Sequence, residues 1–105
     1  MNTKRIEQLN SFLKQNPGDS FVKFALALEY INGGDNDKAL EYFKDILRHD
    51  PDYTGLYYHL GKLYEKLNML EEAEETYKEG LWRTSGKDVH AHRELEEAIN
   101  QLTIE

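Results

Sequence analysis

Apolar residues in this chain recur at intervals of three and four, in short blocks separated by Pro, Gly, Asn and Asp. That spacing places them on one side of a helix. Ile6, Leu9, Phe12 and Leu13 predict a first helix inside residues 1–17. A second is predicted from about Ser20 to Asn32, capped by Asp19 or Ser20 and stopped by Gly33-Gly34. Asp35, Asn36 or Asp37 then opens a third, which ends near Asp50 because Pro51 cannot continue it. Further helices are expected from about Thr54 to Leu67, Leu70 to Arg83 and Asp88 to Leu102. The last carries the stripe Leu95, Ala98, Ile99 and Leu102, with Gly86 as the breaker before it. Connections this short make neighbouring helices antiparallel.

The pattern repeats. Pro17 and Pro51 stand 34 residues apart, and the same step carries Leu26 to Leu60, Ala27 to Gly61, Tyr30 to Tyr64, Ala39 to Ala73, Glu41 to Glu75 and Phe43 to Tyr77. Small residues at 27, 39, 61 and 73 mark where paired helices approach the short end of the ~8–10 Å range, and the aromatics fill the wider spaces around them. The chain therefore parses as one domain over 1–105: half a unit at 1–17, repeats at 20–53 and 54–87, and a capping helix at 88–105.

These residues resemble the tetratricopeptide repeat, whose period is 34. The second unit carries the resemblance best, through Tyr57, Leu60-Gly61, Tyr64, Ala73 and Tyr77; the first has Leu26-Ala27, Tyr30, Ala39, Phe43 and Pro51. Lys23 departs from an expected aromatic, Gly80 from alanine and Ser85 from proline. The resemblance implies an all-α fold, a right-handed superhelix of antiparallel helix hairpins with about six helices. It also implies a concave face, lined by the first helix of each pair, that holds peptides or protein segments. Some relatives grip the C-terminal carboxylate of chaperones with a lysine, asparagine and arginine clamp. Phe24 and Leu28 occupy that part of the groove here and disfavour such a ligand.

The helix over 20–32 has nine apolar residues in thirteen, too many for one buried side. Leu26, Ala27 and Tyr30 belong to the hairpin contact, which leaves Phe21, Phe24, Leu28 and Ile31 as an exposed apolar wall. The alternative is that the N-terminal helix or a curled-in terminus covers it. One step of 34 further on, the groove turns polar with Tyr58, His59 and Lys62, and the capping helix adds His92 and Arg93. The expected function is protein–protein interaction: an interaction module that binds a peptide or helix on the concave face. The competing reading is a scaffold that forms a homodimer through the apolar wall.

Composition narrows the field. A net charge of −7 repels phosphate backbones and anionic lipid, so neither nucleic acid nor membrane is expected as a partner. The N-terminus lacks the apolar run of a secretory signal, and no stretch approaches the ~20 apolar residues of a membrane span, which points to the cytoplasm. Without cysteine there is no thiol nucleophile or thiolate metal site. His90 and His92 diverge by about 200° on a helix, and Gly33-Gly34 has no lysine behind it to make a phosphate loop. Glu71, Glu72, Glu74 and Glu75 read as a solvated face, with Glu74 paired to Lys78. Neither catalysis, a metal nor a cofactor is assigned.

Overall fold

The computed structural model describes residues 2–103, the side chain of Thr103 excepted. Met1, Ile104 and Glu105, which the sequence reading assigns to the terminal helices, lie outside the described residues. Among the described residues the fold is all-α: α1 (Thr3–Gln15), α2 (Ser20–Asn32), α3 (Asn36–His49), α4 (Leu56–Lys66), α5 (Leu70–Thr84) and α6 (Val89–Thr103). The chain divides between Tyr53 and Thr54 into two compact units of three helices each. That division coincides with the repeat boundary in the sequence.

In the first unit α1 and α3 both pack on α2. Asp19 caps α2 by accepting a hydrogen bond from the Val22 amide, and Asp35 caps α3 by accepting from the Lys38 amide. The two helices run antiparallel: Ser20 bonds to Asp50 near one end of the pair, and Tyr30 stacks on Tyr42 toward the other. Ala27 and Ala39 are completely buried, as a close contact requires. Ile6 and Leu9 of α1 join Val22, Ala25 and Leu26 of α2 in one core, with Leu13, Tyr30 and Tyr42 at its margin.

In the second unit α5 packs against both α4 and α6, and α4 also touches α6. Gly61 shows why a small residue recurs there: a Cβ on it would lie 2.1 Å from Cε1 of Tyr77. Tyr77 therefore lies flush on the α4 backbone and donates its hydroxyl hydrogen bond to Glu65. Burial, reinforced by that carboxylate, pushes its phenol far above the usual range. Gly80 is equally confined, since a Cβ would meet Tyr57 Cβ at 2.5 Å and Leu95 Cδ1 at 2.8 Å. The glycine that departs from the family's alanine is what lets Tyr57 and Leu95 close on α5.

α4 begins two residues later than expected. Gly55 offers no side chain to cap it, and the Thr54 hydroxyl is turned to Asp88, to which it donates at 2.9 Å. Asp88 in turn caps α6 by accepting from the Ala91 amide. These two bonds hold its carboxyl below the usual range, the amide bond contributing most.

A candidate protein-binding face

A helix turning about 100° per residue offers three arcs to three neighbours, and α2 divides its residues in that way. One arc, Val22, Ala25 and Leu26, meets α1, and Glu29 extends it through an ion pair with Arg5 at 3.7 Å. A second, Ser20, Lys23, Ala27 and Tyr30, faces α3. The third carries Phe21, Phe24, Leu28 and Ile31; Phe24 packs on Phe43 of α3, and Phe21 is left largely exposed.

The four residues of that arc are not equally open. Phe21 is 64% exposed, while Phe24, Leu28 and Ile31 are half-buried. Phe24 differs from a freely exposed wall residue because it rests on the rings of Phe43 and Tyr53, with centroids 5.9 and 5.7 Å away. Tyr53 lies beside Asp19 and Asp50; burial, then those two carboxylates, raise its phenol above the usual value. The outermost point of the arc is Phe21.

Beside this face the first unit buries a charge. Lys23 is only 7% exposed, and its ammonium sits 2.7 Å from Asp45. Arg48 and His49 approach the same carboxylate at 3.3 and 3.2 Å. The Lys23 hydrogen bond is the main cause of an Asp45 pKa below the usual carboxylate range, against a smaller opposing effect of burial.

In the second unit the corresponding helix, α4, presents Tyr58, His59 and Lys62, all half-buried. His59 meets the Tyr58 ring edge-on with centroids 5.4 Å apart, and burial lowers its imidazole basicity against the opposing pull of Glu94. The Lys62 ammonium stands 5.5 Å from the centre of the Tyr58 ring and 3.6 Å from Glu65. A pocket of about 110 Å³ opens there, lined by Tyr58, Lys62, Glu94, Glu97, Ala98 and Gln101. Neither His92 nor Arg93 lines it. His92 instead places Nδ1 2.9 Å from the hydroxyl of the fully buried Thr84, and Arg93 is exposed.

The sequence reading missed Glu94, Glu97 and Gln101, although their i, i+3, i+7 spacing on α6 is the signal of a shared stripe. Among the described residues no group of three or more histidines and carboxylates could hold a metal ion, and no helix is long and apolar enough to cross a membrane.

A family model, the tetratricopeptide repeat, matches residues 30–91. The chain is similar to the tetratricopeptide repeat domain protein of Salinibacter ruber, whose crystal structure superposes with a TM-score of 0.77 at 36% identity, over 81% of this chain and 96% of that one. It is 26% identical to a TPR repeat-containing protein of Pseudomonas aeruginosa, over 92% of this chain and 93% of that one. The first TPR of Spaghetti, solved with the HSP90 peptide SRMEEVD bound, shares the fold at a TM-score of 0.74 and 21% identity, covering 95% of this chain and 78% of its own.

Proposed function

Because the chain belongs to the tetratricopeptide repeat family, a protein-interaction fold, we propose that it binds a peptide or helical segment on the first-helix face of its repeats, the concave face of the family. The observation that carries this reading is the third arc of α2. That apolar row, held from beneath at Phe24, ends in Phe21, which is 64% exposed, and an exposed apolar patch marks an interaction site. Phe21, Phe24, Leu28 and Ile31 supply apolar anchoring, and Tyr58 and His59 supply polar contacts on α4, with Lys62 beside them over the Tyr58 ring. The peptide-bound neighbour supports a peptide as the kind of partner. His92 and Arg93 stand at the edge of the proposal, since His92 is engaged by Thr84.

Panning the immobilised full chain against a library of random displayed dodecapeptides tests it. The expected result is enrichment of peptides whose affinity falls about tenfold or more in Phe21→Asp, with helicity by circular dichroism unchanged. Failure to enrich any peptide overturns the reading. The same exposed phenylalanine supports a second reading, a homodimer that buries the wall. A concentration-independent dimer in sedimentation, lost in Phe21→Asp, would put self-association in its place.

A further inference from the structure

Deepening that reading, and resting on it, we propose that the partner segment brings a basic side chain and that the α4–α6 pocket of the second unit takes it. The occupant follows from the walls. Tyr58 offers an aromatic ring, Glu94 and Glu97 offer two carboxylates from successive turns of α6, and Gln101 adds a neutral acceptor. An aromatic face beside carboxylates is a cation site. The protein already uses it as one: Lys62 holds its ammonium 5.5 Å over Tyr58 while the Glu65 it also approaches is accepting from Tyr77. Lys62 reaches this ring along the surface of its own helix and stays partly exposed, so an incoming guanidinium or ammonium can displace it toward Glu65. With one internal cation against two carboxylates the pocket keeps a net negative charge. The chain's excess of acid is concentrated in the same half, where residues 54–105 hold eleven acidic and six basic side chains. A segment of the opposite sign is both drawn to this surface and held by it. The HSP90 peptide of the solved neighbour, SRMEEVD, carries one arginine among three acidic residues, so its net charge is opposed by this surface.

The probes are the dodecapeptides enriched by panning, each resynthesised with citrulline for arginine or norleucine for lysine. The sequences of the enriched peptides should each carry at least one basic residue, and their binding to the full chain is read by fluorescence anisotropy. Neutralising that residue should weaken binding roughly fivefold. The same change should make no difference to a Glu94→Gln, Glu97→Gln double variant, whose pocket has lost both carboxylates. Lys62→Met should tighten the unmodified peptides about twofold to fivefold by removing the internal competitor. Enriched peptides without basic residues, or equal binding of the neutral analogues, would overturn the inference and leave the interaction reading standing. No enrichment at all removes both.

Discussion

The two repeats solve one packing problem with different residues, and the difference shows where a helix hairpin must be small and where it has latitude. At the position where the second repeat buries Tyr57, the first buries Lys23; opposite them, Gly80 faces Tyr57, and the residue 34 earlier is Ile46. A large ring needs a partner without a side chain, whereas a flexible lysine stem leaves room for isoleucine. The lysine then requires an anion, which Asp45 supplies at 2.7 Å. The turn between the helices varies in the same manner. Gly34 and Asn68, one period apart, both take the left-handed conformation, at φ 83° and 60°. Both turns close alike, the Asp35 amide donating to Tyr30 and the Met69 amide to Tyr64. Yet Asp35 caps the helix that follows, and Met69 cannot.

The largest expected effect lies in the buried pair. Asp45→Asn strands an ammonium that is 8% exposed, and should cost about 3 kcal/mol in chemical denaturation. Lys23→Met leaves a carboxylate that is 31% exposed and still beside Arg48 and His49, so it should cost about 1 kcal/mol or less. Equal costs would mean that the pair is not desolvated from the lysine side. The same pair sets a pH dependence. Because the folded Asp45 carboxyl is held below its usual range, its contribution is complete above the unfolded value of ~3.9 and is lost as pH falls through the folded one. Denaturation midpoints followed below about pH 4 should fall more steeply in the wild type than in Asp45→Asn.

Next in size is the close approach in the second repeat. Gly61→Ala drives a methyl into the Tyr77 ring and should cost about 2 kcal/mol, overriding the helix propensity of about 1 kcal/mol that alanine gains. The alanine at the equivalent position 27 is fully buried and tolerated, so a neutral Gly61→Ala would show that the Tyr77 ring is free to retreat. The smallest effect sharpens the capping difference. Met69→Asp should give α5 the cap that α3 has and raise stability by about 1 kcal/mol, read as a shift in midpoint. A loss there would show that the half-buried methionine contributes more by packing than a cap can return.

Much of the fold was legible because steric rules repeat along the chain. Proline, glycine and aspartate punctuate the helices, and Ala27, Ala39, Gly61 and Ala73, spaced by one period, mark the close contacts. Helix ends were recovered to within two residues, with the largest miss at α4, where Thr54 bonds outward to Asp88 rather than entering the helix. What periodicity could not supply was the identity of partners across the hairpin. Nothing in the local sequence says that Lys23 turns inward, because a lysine is normally a surface residue; only Asp45, 22 residues on, makes its burial tolerable. Phe24 read as an open wall residue for the same reason, its supports Phe43 and Tyr53 lying far along the chain. On α6 His92 turns to Thr84, and the groups lining the pocket sit on another stripe of the helix.

The central claim, that a protein segment rests on the first helix of each repeat, is tested most directly by nuclear magnetic resonance mapping of the full chain with an enriched peptide. The side-chain resonances of Phe21, Leu28, Ile31 and Tyr58 should move in a saturable manner, with those of the outer α3 residues Lys38, Lys44 and Arg48 and of the exposed Trp82 on α5 left in place. Saturable shifts confined to Lys38, Lys44, Arg48 or Trp82, with Phe21 and Tyr58 unmoved, would contradict it.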